Sequence, residues 1–120
     1  MQDVTFGGIT PLIPADDVEA AIAFYTEKLG FTEMWRAGEP PTEAGVLRDA
    51  ASVIFFVCKD RSIADMTSFR IRVNGIEAFH EHCRAAGIVH PNGALSTTAW
   101  GTNEFAIIDP SGVCITFWQP

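Results

Sequence analysis

Basic residues are scarce in this sequence. Lysine and arginine together number 8 against 15 aspartates and glutamates, so the formal net charge is −7. A nucleic-acid interface needs basic side chains to neutralise phosphates, and the charge therefore argues against a nucleic-acid partner. An acidic surface keeps a small protein soluble, and it also attracts cationic small molecules. The charge alone leaves both roles open.

Long hydrophobic runs are absent as well. No apolar stretch approaches the roughly 20 residues that a membrane-spanning helix needs. The first four residues, MQDV, contain neither the basic nor the apolar part of a secretory signal. We therefore expect a cytoplasmic protein without a membrane partner.

Cysteine and histidine are few, and their spacing does not suit a metal site. Cys58, Cys83 and Cys114 are odd in number, far apart and without CxxC spacing, which predicts reduced thiols packed as small apolar groups. On a predicted helix, His80 and His82 stand two positions apart and point to different faces. We therefore expect neither a zinc site nor a disulfide framework.

The order of apolar runs and turn signals repeats along the chain. The first half reads as a strand at residues 9–14, a helix capped by Asp16 or Asp17 and ended by Gly30, and strands at 32–36, 44–49 and 52–58. After a polar linker at 59–66, the second half reads as a strand at 69–73, a helix at 76–86 ended by Gly87, a polar loop at 93–98, and strands at 103–108 and 113–118.

This repetition predicts one α+β domain, residues 1–120, built from two βαβββ modules at about 8–58 and 67–118. Two such modules can lay their sheets side by side to form a curved mixed-sheet cup. Strand alternation sorts the side chains. Phe69, Ile71 and Val73 should pack on a helix, while Ser68, Arg70 and Arg72 share the opposite face. Likewise, Cys114, Thr116 and Trp118 should oppose Val113, Ile115 and Phe117.

Large aromatic side chains are the candidates for the walls of a ligand site. Trp100 is the strongest, because it stands in a polar loop where neither helix nor strand packing requires it. For the other aromatics, ordinary core packing is an equal alternative. Arg70 and Arg72 either line the cup or pair with an acidic residue, which could be Glu43, Asp49 or Glu104. The predicted ligand-binding residues are Phe31, Trp35, Phe55, Ser68, Arg70, Arg72, Trp100 and Trp118.

Two segments, IAFYTEKLGF at 22–31 and WGTNEFAIIDPSGVCITF at 100–117, resemble the vicinal oxygen chelate superfamily of glyoxalases, extradiol dioxygenases, and fosfomycin- and bleomycin-resistance proteins. The Trp-Gly pair before a D-P-x-G turn, together with Pro11, is most similar to the bleomycin-binding group. That resemblance implies a homodimer that exchanges N-terminal strands, with Pro11 as the hinge of the exchanged arm.

The resemblance also implies four inward positions where metal-dependent members carry their ligands, and these fall on Thr10, Phe55, Ser68 and Thr116. Hydroxyls and a phenyl ring bind divalent ions poorly, so we expect no metal, no cofactor and no enzymatic activity. Glu104 is the one general-base candidate, although a strand glutamate is most often an inert surface residue.

The resulting hypothesis is a protein that sequesters bleomycin-family glycopeptides in a dimer crevice, with Trp35, Phe55 and Trp100 as stacking surfaces and Trp118 behind them. Two alternatives stay open: a metal-dependent lyase, isomerase or dioxygenase-like enzyme, and a binder of another small molecule. Arg70 and Arg72 favour the latter, because paired arginines repel a cationic ligand and grip carboxylates or phosphates.

Overall fold

A computed structural model describes residues 3–120 of the chain. Its first half contains strands and one helix in the predicted order: β1 (Leu12–Ala15), α1 (Val18–Glu27), β2 (Thr32–Ala37), β3 (Glu43–Arg48) and β4 (Ala51–Val57). Asp17 caps α1 by accepting a hydrogen bond from the backbone N–H of Ala20. Gly30 follows the helix at φ +76°, a left-handed conformation that favours glycine.

The second half repeats this order after a short helix: α2 (Arg61–Asp65), β5 (Ser68–Arg72), α3 (Ile76–Ala85), β6 (Ser96–Thr97), β7 (Asn103–Ile108) and β8 (Cys114–Gln119). Gly87 again ends the helix, at φ +71°. The paired βαβββ prediction is confirmed.

Three local predictions were wrong. The linker contains α2, because Asp60 caps its N-terminus through the N–H of Ser62. The polar loop contains β6, which pairs with the beginning of β7. The first strand begins at Leu12 rather than Ile9, and the segment 3–11 that precedes it forms no strand.

The strands form two separate four-stranded sheets with equivalent topologies. The first sheet has the order β1-β4-β3-β2 and the second has the order β5-β8-β7-β6. In each sheet only the first strand pairs in parallel, with β4 or β8 respectively. The molecule measures 46 × 43 × 25 Å, and each long helix packs against its own sheet. The face of each sheet that points away from its long helix is here called its open face.

The hydrophobic core lies between each sheet and its helix. The ring of Tyr25 lies edge-on to Phe31 and Phe55, at centroid distances of 5.6 Å and 4.8 Å. In the second module, Phe79 of α3 meets Phe117 at 4.9 Å. Phe55 is 0% exposed and Phe31 is 6% exposed. Phe55 therefore faces α1, and its prediction as a cup residue was wrong because both faces of β4 are apolar and alternation alone does not set its phase.

The modules meet at two joints. At one, Tyr25 donates a 2.9 Å hydrogen bond from its hydroxyl to Oδ2 of Asp109 in the β7–β8 turn. At the other, a ring nitrogen of His82 lies 2.7 Å from the carbonyl oxygen of Lys28, and Arg48 lies over the ring of Phe79.

Within residues 3–120, no helix has the length and apolarity needed to cross a lipid bilayer.

Candidate functional site

The open face of the second sheet carries polar and charged side chains, as alternation predicts. In β5 the half-buried Phe69 and Ile71 stand beside the buried Ile115 and Phe117 of β8, while Arg70 and Arg72 stand beside Thr116 and Trp118. On the far side of β8, Glu104 and Ala106 of β7 pair with Trp118 and Thr116. The predicted orientations of β5 and β8 are therefore confirmed.

Arg70 and Glu104 form a two-pronged ion pair on this face. The guanidinium nitrogens Nη1 and Nη2 donate to the two carboxylate oxygens at 3.2 Å and 2.9 Å. Thr102 donates a further hydrogen bond to Oε2 at 2.6 Å. The Glu104 side chain is only 13% exposed. Hydrogen bonds from Arg70 and Thr102 lower the pKa of Glu104 to about 2, so this carboxylate is too weak a base for general-base chemistry near neutral pH.

Trp100 projects from a loop that Glu104 helps to hold. The loop closes through a 2.8 Å hydrogen bond from the N–H of Thr98 to the carbonyl of Thr102, and their hydroxyls also lie 2.8 Å apart. Because Thr102 in turn donates to Glu104, the loop is tied to the open face. Trp100 is 73% exposed, so its ring is available to a ligand.

Trp118 lies on the open face beside two arginine side chains. The guanidinium carbons of Arg70 and Arg72 lie 5.5 Å and 5.4 Å from its ring centroid, which is cation–π distance. Part of its stacking surface is therefore already used by the chain itself. Ser68 is exposed at the start of β5, next to Cys114 in the register.

The open face of the first sheet presents Trp35. A register shift between Glu33 and Trp35 pairs Trp35 with Gly45, which moves the indole to the open face. A Cβ on Gly45 would lie 2.3 Å from Nε1 of Trp35, so only glycine lets the ring lie flat there. A cavity of about 280 Å³ adjoins the indole and is also lined by Thr10, Met34 and Ile54.

The sequence interpretation missed Gly45, although an isolated glycine within a strand is a known signal of close approach. It also missed the apolar side chains that complete the open faces. These are exposed at 65% for Leu12, 57% for Met34, 36% for Phe56 and 40% for Ile108.

The four positions where metal-dependent members of the superfamily carry their metal ligands hold residues that do not fit a metal ion. Phe55 faces α1, and the hydroxyl of Thr10 lies 2.5 Å from that of Ser52. Over residues 3–120, no group of three or more His, Cys, Asp or Glu side chains could hold a metal ion. The donors at the remaining positions are neutral hydroxyls, which do not fit a divalent metal.

The histidines take structural positions. The ring of His80 lies against Phe105 at 5.1 Å, and His82 belongs to the joint described above. His90 lies in the loop after α3, where its Nδ1 accepts a hydrogen bond from the backbone N–H of Asn92.

Comparison with known proteins finds relatives among the bleomycin resistance proteins. A bleomycin resistance protein of Geobacillus stearothermophilus is 33% identical over 129 aligned positions, covering 91% of this chain and 93% of that protein. A bleomycin resistance protein of Staphylococcus aureus has the same identity and coverage.

Among solved structures, the bleomycin-binding protein of Streptomyces verticillus complexed with copper(II)-bleomycin superposes with a TM-score of 0.80 and 30% identity, covering 95% of this chain and 96% of that one. The bleomycin resistance determinant encoded on transposon Tn5 has a TM-score of 0.81 and 25% identity, covering 95% and 98%. The family model for the glyoxalase/bleomycin resistance protein/dioxygenase superfamily matches residues 8–117. The chain therefore belongs to this superfamily.

Proposed function

We propose that this protein binds a bleomycin-family glycopeptide and sequesters it without altering it chemically. The observation that carries the proposal is the pair of exposed tryptophans, Trp35 and Trp100, which are 42% and 73% solvent-accessible. Gly45 leaves room for Trp35, and the Thr102–Glu104–Arg70 chain anchors the loop of Trp100. Pre-positioned indoles bind flat heteroaromatic rings at little entropic cost.

The relatives support this choice of ligand. The 30% identical protein of Streptomyces verticillus was solved with copper(II)-bleomycin. The formal net charge of −7 would attract the cationic tail of such a ligand. We do not include Phe31 and Phe55 among the residues that contact the ligand, because they lie in the core. Trp118 lies under the guanidinium groups of Arg70 and Arg72 and supports them.

A homodimer completes the proposed site. Both open faces expose apolar side chains, and an uncovered apolar sheet face indicates a binding surface. The arm that precedes β1 is exposed as well: Phe6 is 88% and Ile9 is 89% solvent-accessible. In this chain β1 pairs with its own β4, so the described part of an exchanged arm would be residues 3–10, with Pro11 as the hinge. Two copies would then enclose a crevice between their open faces.

The test is a titration with metal-free and copper(II)-bleomycin, followed by calorimetry and tryptophan fluorescence. Trp35→Ala and Trp100→Ala should each weaken binding about tenfold or more, which corresponds to about 1.4 kcal/mol or more. Trp100→Ala should leave the fold unchanged, because its ring is exposed. Mass spectrometry should recover bleomycin unmodified.

A growth assay extends the test to cells. A bleomycin-sensitive bacterium that expresses the protein should survive on the antibiotic, and the Trp100→Ala variant should protect it less. An absence of heat and of quenching well above micromolar bleomycin would reject the proposal, and a modified product would reject its non-enzymatic part.

A further inference from the structure

A gap separates the two sheets where β4 passes β5. Leu12 is the first residue of β1 in register with β4, opposite Ile54. Before it, the chain contacts β4 through the carbonyl of Pro11, which accepts from the N–H of Ile54, and through Thr10, whose hydroxyl lies 2.5 Å from that of Ser52. β5 is the edge strand of its own sheet. Between β4 and β5 lies a cavity of about 370 Å³ with a mainly apolar wall that includes Pro11, Val53 and Ile71.

Arg70 and Arg72 both lie at this gap, and they differ in their ion pairing. Arg70 and Arg72 share β5, the same open face and the same cation–π contact with Trp118. Arg70 is neutralised by Glu104. Across residues 3–120, Arg72 forms no ion pair within 4.0 Å with an acidic side chain. One positive charge therefore stands uncompensated at the rim of an apolar cavity.

An uncompensated guanidinium is a strong recognition group for a planar anion. Its N–H groups form a rigid fork that matches carboxylate, sulfonate and phosphate oxygens. Stacking on Trp118 restrains the side chain, which reduces the entropy lost when an anion binds. The cavity beside it offers an apolar wall to a flat hydrocarbon or heteroaromatic ring.

We propose that this gap is a second binding subsite, which takes flat apolar acids and pairs their anionic group with Arg72. The subsite stands on residues other than Trp35 and Trp100. It therefore does not depend on the ligand that those tryptophans bind. It also assigns different tasks to the two arginines: Arg70 organises Glu104 and the Trp100 loop, whereas Arg72 selects the charge of the ligand.

The test compares two probes with the same ring and opposite charge, 2-naphthalenesulfonate and 2-naphthylmethylammonium. Calorimetry gives the affinities, and amide chemical shifts of the full-length protein locate the probe. The sulfonate should bind about tenfold or more tightly than the ammonium, and it should shift the amides of Phe69 and Ile71. Arg72→Gln should abolish this preference, and Arg72→Lys should retain part of it.

Arg84→Gln is the matched control. It removes the same charge from an exposed pair with Glu81 on α3, and it should leave the preference for the sulfonate intact. Equal binding of both probes by the wild-type protein would overturn the proposal. The same holds if Arg72→Gln, folded by circular dichroism, binds the sulfonate as tightly as the wild-type protein. Shifts confined to Trp35 and Trp100, or no binding at millimolar sulfonate, would overturn it too.

Discussion

The hydroxyl of Tyr25 in α1 donates a hydrogen bond of 2.9 Å to Oδ2 of Asp109, 84 residues further along the chain. Oδ1 of the same carboxylate accepts the backbone N–H groups of Ser111, Gly112 and Val113. Asp109 thus closes its own turn with one oxygen and holds the first module with the other. This contact joins the segment that contains Tyr25 to the D-P-x-G segment.

Tyr25→Phe should destabilise the protein by about 1–3 kcal/mol, because Oδ2 of Asp109 then stays buried without its donor. Urea unfolding measures the loss. Combining Tyr25→Phe with Asp109→Asn should give non-additive effects, since the two side chains share one hydrogen bond. An unchanged midpoint in Tyr25→Phe, or strict additivity in the double variant, would contradict an energetic role for the joint.

Stability should also depend on the ionisation of Glu104. Its partners lower its pKa from 4.5 in the unfolded chain to about 2 in the folded protein. The folded state therefore favours the ionised form of Glu104. The stabilisation is complete above about pH 4.5 and is lost as the pH falls towards 2. Urea unfolding of the wild type and Glu104→Gln across this range should show a stability difference that shrinks towards low pH.

Glu81→Gln is the control for Glu104, because Glu81 also forms an ion pair, with Arg84, but on an exposed helix surface where such pairs contribute little. Its stability difference from the wild type should be small across the same pH range. A difference for Glu104→Gln that does not vary with pH would show that Arg70 and Thr102 do not act through the carboxylate charge.

Gly45→Ala should displace Trp35. The added methyl would lie 2.3 Å from the indole Nε1, so the ring must swing away from the open face. Overpacking of this kind costs about 1–3 kcal/mol, and the tryptophan emission should shift. We expect weaker bleomycin binding, in step with Trp35→Ala. Gly93→Ala is a matched control, since it also crowds a strand, with a Cβ 2.8 Å from Ala106, but does not touch Trp35.

Phe6→Asp should weaken the proposed homodimer and leave the fold of each copy intact, because Phe6 is 88% exposed in the single chain. Sedimentation equilibrium measures the dissociation constant. Ala85→Asp adds the same charge on the exposed surface of α3 and should not affect association. A wild-type protein that is monomeric at every concentration would refute the dimer, and an unaffected Phe6→Asp dimer would refute the role of the arm.

Much of this architecture is readable from local sequence signals. Asp17, Gly30 and Gly87 mark helix ends through the hydrogen bond or φ angle that each provides. In β5 and β8, one face is uniformly apolar and aliphatic or phenyl in character, so alternation assigns Arg72 and Trp118 to the opposite, open face without further information. The resemblance of whole segments then identifies the superfamily.

The tertiary structure decides between arrangements that these sequence patterns do not distinguish. β4 is apolar on both faces, and only its packing on α1 places Phe55 in the core. A regular β2 would turn Trp35 towards the helix, and the register shift opposite Gly45 reverses that. Arg70 and Arg72 are equivalent by alternation, yet it is Arg70 that pairs with Glu104. Sequence determines which side chains can share a face, because that follows from the period of the backbone, whereas the choice among equivalent faces and partners depends on distances that exist only after the sheets are packed.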